Sequence, residues 1–392
     1  MSRVAKLDAV VVGGGVVGAA CALALARSDL DVALVEAGTP AAWSAATPDL
    51  RVYAFAPDNA ALLDGLGVWR DVAATRVQPY WRMRVWDAAA GGELHFDADA
   101  YGRAQLGWIV ENALLQDRLW AALPAAGVRV LAGTRVAGLE QDEAGLRLQL
   151  DDGSPLAARW AIAADGGRSA LRALAGVEVD AHDYHQRGVV AFVRTEMKHE
   201  DTAWQRFLPT GPLAFLPFAD GLCSIVWSLP EAEAQRVLEL PSERFEDELE
   251  RAFAGRLGAV RLASARAAFP LRRQLARAQL AGRVLLAGDA AHTVHPLAGQ
   301  GVNLGLRDVA GLRDAIHDAQ ARRIDWASPH RMARWARNAR SRNTVAALGF
   351  EAINGVYSNA ELHLTLARGH LLGAADRVPG MSARMWKHAA GA

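Results

Sequence analysis

Cysteine is scarce: Cys21 and Cys223 are the only two in 392 residues, and neither has a second Cys or a His at metal-ligand spacing. That scarcity argues against a disulfide framework and a thiolate metal site, and predicts two buried thiols in a reducing compartment. Net charge is also lacking, because 43 basic side chains balance 43 acidic ones. No overall positive field gathers nucleic acid or an anionic membrane, so any binding is local. Internal repeats and low-complexity linkers are missing as well. Long apolar runs are few. Ala9–Ala26 carries 18 residues without a charge after Arg3 and Lys6, which touches the lower limit for a membrane span and has the outline of a signal peptide. Gly13, Gly14, Gly15 and Gly18 inside that run instead predict a strand, a turn and a buried helix. A soluble, cytoplasmic protein of two or three domains is expected, in keeping with 52% hydrophobic and 22% charged residues.

What is present begins with half of a βαβ unit: a strand over Leu7–Val12, a glycine turn, a helix from Val16 to about Arg27, and a strand over Asp31–Val35 that ends at Glu36. Further apolar strands fit 128–131, 146–150, 160–164 and 283–287, so a nucleotide-binding domain is expected from distant segments, 1–75, 100–180 and 275–335. Between them, 182–194, 207–218 and 222–229 are rich in β-branched and aromatic residues, with turn signals at Pro209-Thr210-Gly211-Pro212 and Asp220-Gly221. They predict an antiparallel second domain over 76–99 and 181–274. Val302, Leu306, Val309, Leu312 and Ile316 form one stripe at helical spacing. Over 336–392 a helical region is expected, with basic and apolar positions that suit a partner, a bilayer surface or the body of the protein.

Three motifs carry chemistry. Gly13-x-Gly15-x-x-Gly18 follows an apolar strand, opens a helix and has Glu36 about twenty residues on, the context a dinucleotide requires. The first glycine permits the turn, the second admits backbone N–H groups to a pyrophosphate, and the third lets helix and strand pack, while Glu36 accepts from a ribose. A second motif, Asp165-Gly166-Gly167-Arg168-Ser169 with Arg172, places Ser169 to cap a short helix. A third runs from Gly288-Asp289-Ala290-Ala291-His292 through His295-Pro296 to Gly299-Gln300-Gly301-Val302-Asn303. There Asp289 is placed for polyol hydroxyls, and the start of a long helix is placed for developing negative charge. His292 and His295 invite a metal reading, but no third ligand converges on them. A structural or cofactor-neighbouring role is expected instead, and no metal. Trp204, Trp227 and Phe215 are candidates to flank an apolar substrate.

In this order and spacing the motifs resemble the FAD-dependent aromatic hydroxylases related to para-hydroxybenzoate hydroxylase, across nearly the whole chain. Within them the ubiquinone-biosynthesis monooxygenases are most similar, through Leu50-Arg51-Val52-Tyr53-Ala54, Leu66-Gly67-Val68-Trp69, Leu106-Gly107-Trp108-Ile109-Val110-Glu111-Asn112 and Gly288 to Gly305. Leu222–Leu229, followed by Glu233-Ala234-Gln235-Arg236, resembles the branch that oxidises ring carbon five of a 2-polyprenylphenol. The resemblance implies an α/β fold, with a Rossmann-type FAD-binding domain, an inserted antiparallel β-sheet substrate domain and a helical C-terminal region.

It also implies roles. Arg51 contacts the flavin side of the pyrophosphate, Gln116 the ribityl or phosphate region, and Val136 the adenine edge. Val17 and Gly166 belong to the cofactor wall, and Asp165 to both FAD and nicotinamide binding. Gly288 and Asp289 meet the ribityl chain, His295 and Pro296 lie near the ring where oxygen is activated, and Gly299, Gly301, Val302 and Asn303 face its pyrimidine edge. Read without the resemblance, Arg51 fits a surface ion pair and Gln116 a solvated helix position. The implied reaction is flavin reduction by transient NADPH or NADH, capture of O2 as a C4a-hydroperoxide, and oxygen transfer to a polyprenylated phenol or quinol. No second glycine fingerprint occurs, which suits a transient nicotinamide. Peripheral contact with the inner face of a membrane, a ubiquinone-biosynthesis complex and a homo-oligomer are compatible with a lipid substrate. The rival readings are another FAD dehydrogenase or oxidase, and a non-catalytic flavoprotein scaffold.

Overall fold

Central strands that are apolar on both faces need cover on both sides, and this requirement organises the first half of the molecule. A computed structural model describes residues 6–88, 92–294 and 301–357. Leu7–Val12 lies between Pro155–Ala163 and Val32–Glu36, parallel to both, with Val11 opposite Ile162 and Leu34. Val284–Leu286 and Arg129–Ala132 extend the parallel array outward. Ala9 and Val11 pack against the Val16–Ala26 helix, while Leu7, Val10 and Val12 join Leu146 and Leu148 on the opposite face. The Val16–Ala26 helix is buried almost all round by alanine and other small or aliphatic side chains, so it also packs against helices Asn112–Ala122 and Gly301–Ala321.

The second sheet runs in the order His292–Thr293, Ala267–Ala276, Val179–Thr195, Leu222–Pro230, Gly211–Phe218, Thr202–Leu208, Arg82–Asp87, Glu93–Asp97. Every neighbouring pair along it is antiparallel except Thr202–Leu208 with Arg82–Asp87. Pro209-Thr210 divides the apolar run 207–218 into the two arms of a hairpin. Two unforeseen helices, Glu231–Glu239 and Ser242–Ala252, cover one face of this sheet through Val237, Phe245 and Leu249. Their many charges conceal a narrow apolar stripe.

Two segments sit differently from expectation. Gln78–Tyr80 pairs with Gly107–Glu111, which also pairs with Val52–Phe55, in a separate three-stranded sheet. His292–Thr293 pairs with Ala267–Ala276, so the third motif itself stitches onto the second sheet. One helix runs from Pro329 to Tyr357, across the division expected at 335–336, because Met332, Trp335, Ala336 and Ala339 continue one buried face against the Gly301–Ala321 helix. Among the described residues, no helix is long and apolar enough to cross a membrane.

Candidate cofactor and substrate cleft

A cleft of about 850 Å³ opens between the two sheets, toward the upper end of the roughly 300–1,000 Å³ usual for ligand sites. Gly13, Gly15, Val17, Glu36, Arg51, Gln116, Val136, Asp165, Gly166, Asp289, Gly301 and Val302 all line it. Residues up to 289 positions apart in sequence thus meet on one surface.

The glycines divide by task. Gly13 has φ +104°, and a Cβ there would lie 2.3 Å from the Ala164 carbonyl oxygen; one at Gly18 would lie 1.8 Å from that of Gly13. Both are demanded by the packing of the protein itself. At Gly15 a Cβ meets nothing within 4 Å: the space it would fill is the cleft, so this glycine keeps room for something other than protein. Glu36 accepts from the backbone N–H groups of Gly14 and of Gly38, the latter at 3.0 Å, which holds its carboxylate at the end of the turn. Gln116 donates from Nε2 to the Gly14 carbonyl at 2.9 Å, and Trp120 from Nε1 at 2.7 Å. Gln116 therefore braces the turn as well as lining the cleft.

Arg51 is presented by a braced loop. Asp49 accepts from Arg51 N at 2.9 Å, from Asn112 Nδ2 at 3.2 Å and from Ala113 N at 3.1 Å. Glu111, fully buried, accepts a two-pronged contact from Arg76 at 2.9 and 3.0 Å, together with Trp43 Nε1 and Asp49 N. Glu111 sits in a sequence motif that gives it no task, and nothing local marks Arg76 or Trp43, because only the fold brings the three together. The Arg51 guanidinium lies 5.6 Å from the Phe269 ring across the cleft.

Asp165 is engaged locally: it accepts from Ser169 Oγ and, at 3.2 Å, from Leu171 N, while Ser169 Oγ caps the short helix by accepting from Arg172 N at 3.0 Å. Arg172 then donates to the carbonyls of Ala290 and Gly167, both at 2.8 Å, joining the second and third motifs. Asp289 is open to the cleft but hemmed in by protein on its other sides. Burial pushes its carboxyl above the usual range, against the opposing pull of His292 and Arg51. His292 is buried, with Nε2 2.6 Å from Asp308 Oδ2. Burial lowers its pKa but the adjoining Asp308 outweighs it, and the net direction is upward.

Three expected residues stand behind the lining. Gly18 and Gly288 lie beneath the turns, and Asn303 is turned inward. Asn303 Oδ1 accepts from Ala56 N at 3.1 Å and Asn59 Nδ2 at 2.9 Å, and its Nδ2 donates to the Ala54 carbonyl at 2.8 Å. Its side chain thus ties the long helix to the Val52–Phe55 strand and is not part of the cleft lining. His295, Pro296 and Gly299 fall outside the described residues.

The aromatic candidates need a correction of register. Phe215 stacks on Phe253 at 3.9 Å, Trp204 meets Trp86 at 6.3 Å, and Trp227 is buried with Phe245 in the core beneath the two unforeseen helices. Because alternate strand residues face opposite sides, the cleft receives their companions instead: Gly188, Val190 and Val226, joined by Phe269, Pro270 and Leu271.

The wall fits FAD. A glycine turn with an open Cβ position, the start of a helix, two arginines (Arg51 and Arg168), and a carboxylate deep in the cleft suit a pyrophosphate and a polyol chain. Fold and site together define a dinucleotide-binding oxidoreductase whose cofactor half faces an apolar second half. The comparisons agree. Residues 6–341 match the family described as FAD binding domain. The chain is 37% identical over 385 residues to the 3-demethoxyubiquinol 3-hydroxylase of Escherichia coli (strain K12), covering 97% of each. It is 36% identical to the ubiquinone hydroxylase UbiL of Rhodospirillum rubrum, over 98% of this chain and 89% of that protein. In structure it is similar to the p-nitrophenol 4-monooxygenase PnpA of Pseudomonas putida DLL-E4, with TM-score 0.78 at 20% identity over 97% and 96% of the two chains. The chain belongs to the FAD binding domain family, in the group that contains these hydroxylases, and is an FAD-dependent aromatic-ring monooxygenase.

Proposed function

We propose that the chain hydroxylates the ring of a polyprenylated phenol or quinol on the way to ubiquinone, with O2 and transient NADPH or NADH. The observation that carries this reading is the apolar wall of Gly188, Val190, Val226, Phe269 and Leu271 opposite the cofactor half. It offers a prenylated ring a largely apolar surface, with Arg272 beside Leu271. The names of the relatives support a quinol of that pathway.

Bound in the cleft, FAD supplies the exchange of two electrons with the nicotinamide and the activation of oxygen. The protein's own residues do the rest. On this reading Glu36 and the Val136 backbone hold the adenosine end, while the Gly13–Gly18 turn and Arg51 neutralise the pyrophosphate. Gln116 keeps that turn in place, Asp289 takes the polyol hydroxyls, and the start of the Gly301–Ala321 helix lends partial positive charge to the ring edge near Gly301 and Val302. Asp165 and Gly166 shape the mouth where the nicotinamide is received. The apolar wall excludes water during oxygen transfer. Exposed Arg334, Arg337, Arg340 and Arg342, with exposed Val345 and Leu348, support contact of the Pro329–Tyr357 helix with an anionic membrane surface from which a lipid substrate is drawn. A partner enzyme or a second copy of the chain belongs to the same proposal.

The test is oxygen-dependent NAD(P)H oxidation by FAD-loaded protein with and without a short-chain prenylated phenol or quinol, with the product read by mass and ring pattern. Stimulated consumption with a gain of one oxygen supports the reading. The position of the new hydroxyl separates the carbon-five branch, which segment 222–236 resembles, from attack at the carbon that names the 37% identical relative. Bound FAD with no stimulation favours the scaffold alternative.

A further inference from the structure

We infer that Asp308, which lines no part of the cleft, is a positioning residue that joins the cofactor loop to the C-terminal helix, so that the packing of that helix sets the affinity for FAD. Asp308 is completely buried on the Gly301–Ala321 helix, where Asn303 is the other buried polar side chain. Its Oδ2 accepts from Gly288 N at 3.2 Å and contacts His292 Nε2 at 2.6 Å. Both partners belong to the loop that holds Asp289 against the cleft. Its Oδ1 accepts from Asn343 Nδ2 at 3.0 Å, and its backbone carbonyl accepts from Trp335 Nε1 at 3.3 Å. Those two residues come from the Pro329–Tyr357 helix, 27 and 35 positions further along.

The loop has little other freedom. Gly288 sits at φ +59° with Val17 against it, and a Cβ at Gly305 would lie 3.0 Å from the Gly288 Cα and 2.6 Å from Val17 Cγ2. The turn is therefore wedged between the Val16–Ala26 and Gly301–Ala321 helices, and its direction is given by the inward hydrogen bond to Asp308. A buried carboxylate needs its lone pairs satisfied and its charge matched. His292 supplies the match from the loop and Asn343 occupies the other oxygen from the helix. Removing Asn343 leaves Asp308 Oδ1 unmatched, and the carboxylate then relaxes at the expense of the Gly288 and His292 contacts. Asp289, next in sequence to Gly288, moves with them.

The inference rests on the cleft being the FAD site. Apoprotein prepared from the full chain is titrated with FAD by flavin fluorescence, alongside thermal unfolding. Asn343→Leu is expected to raise the Kd for FAD on the order of tenfold. Met332→Ala, buried in the same helix but with no hydrogen-bond donor in its side chain to offer Asp308, is expected to lower Tm while keeping Kd within about twofold of wild type. Asp308→Asn raises Kd at least as far as Asn343→Leu, and adding Asn343→Leu to it brings no further loss. Should Asn343→Leu not fold, Trp335→Phe removes the hydrogen bond to the Asp308 carbonyl while keeping an aromatic ring in place, with an expected rise of about threefold. Equal Kd changes for Asn343→Leu and Met332→Ala, additive losses in the double variant, or an unchanged Kd in Trp335→Phe and Asn343→Leu overturn the coupling. A wild-type apoprotein that takes up no FAD overturns the cofactor reading itself.

Discussion

Single residues in this cleft fall into those the protein needs and those the ligand needs. Gly15→Val adds a side chain where no protein atom lies within 4 Å and where φ is an ordinary −66°. It should fold with Tm close to wild type and be purified without flavin. Gly18→Val drives a Cβ into the Gly13 carbonyl, so a loss of several kcal/mol or failure to fold is expected, read by denaturant unfolding. Asp289 makes the opposite trade: the fold holds a carboxylate in a place that disfavours its charge. With its folded pKa above the unfolded value, the protonated form is favoured in the fold, and the contribution of Asp289 to stability falls as pH rises through the ordinary carboxylate range toward that raised value. Asp289→Asn apoprotein should therefore melt higher than wild type at pH 7, lose that part of the pH dependence, and bind FAD less tightly. A lower Tm in the variant would remove the argument.

At the scale of elements, the strand period decides what substrate meets. Val226 and Trp227 are adjacent, yet Val226 lines the cleft and Trp227 lies under the helices. Val226→Trp should retain FAD and folding but lose substrate-stimulated NAD(P)H oxidation. Trp227→Ala should cost about 3–5 kcal/mol of stability and leave the ratio of activities toward short and long prenyl chains unchanged. Reading 222–229 as a strand was possible from its β-branched and aromatic residues. Reading which side faces the ligand was not, because both faces of this sheet are covered and both read as apolar. The long helix after Gly301 was legible from Val302, Leu306, Val309, Leu312 and Ile316, and Asp308 lies beside that stripe rather than on it. Local spacing therefore gives no sign that Asp308 is buried against His292 and Asn343.

Across the whole molecule, one buried ion pair connects the parts that must stay in register. Arg76 grips Glu111, stands 5.1 Å from the Trp43 ring, and reaches the second sheet at the Phe218 ring, 5.5 Å away. Glu111→Ala leaves Arg76 without its anion and frees the Trp43 and Asp49 N–H groups on the way to Arg51. A loss of about 3–5 kcal/mol is expected, measured by urea unfolding, with weaker FAD binding in parallel. Arg76→Met with Glu111→Leu should cost less than the sum of the two single changes, since neither charge is then stranded.

By itself, the sequence determined that the chain builds an FAD-binding half and which turns form its wall. The glycine spacing, Glu36, the Asp165–Gly166 and Gly288–Asp289 turns and the strands that precede them are local features, fixed by backbone conformation and hydrogen-bonding capacity over a few residues. Those constraints can be read wherever they occur. Only the tertiary structure decided that Asn303 is turned inward, that Val226 rather than Trp227 meets the cleft, and that Asp308 answers to Asn343. Each depends on which face of an element finds a partner, and that choice is made by packing between segments tens to hundreds of residues apart.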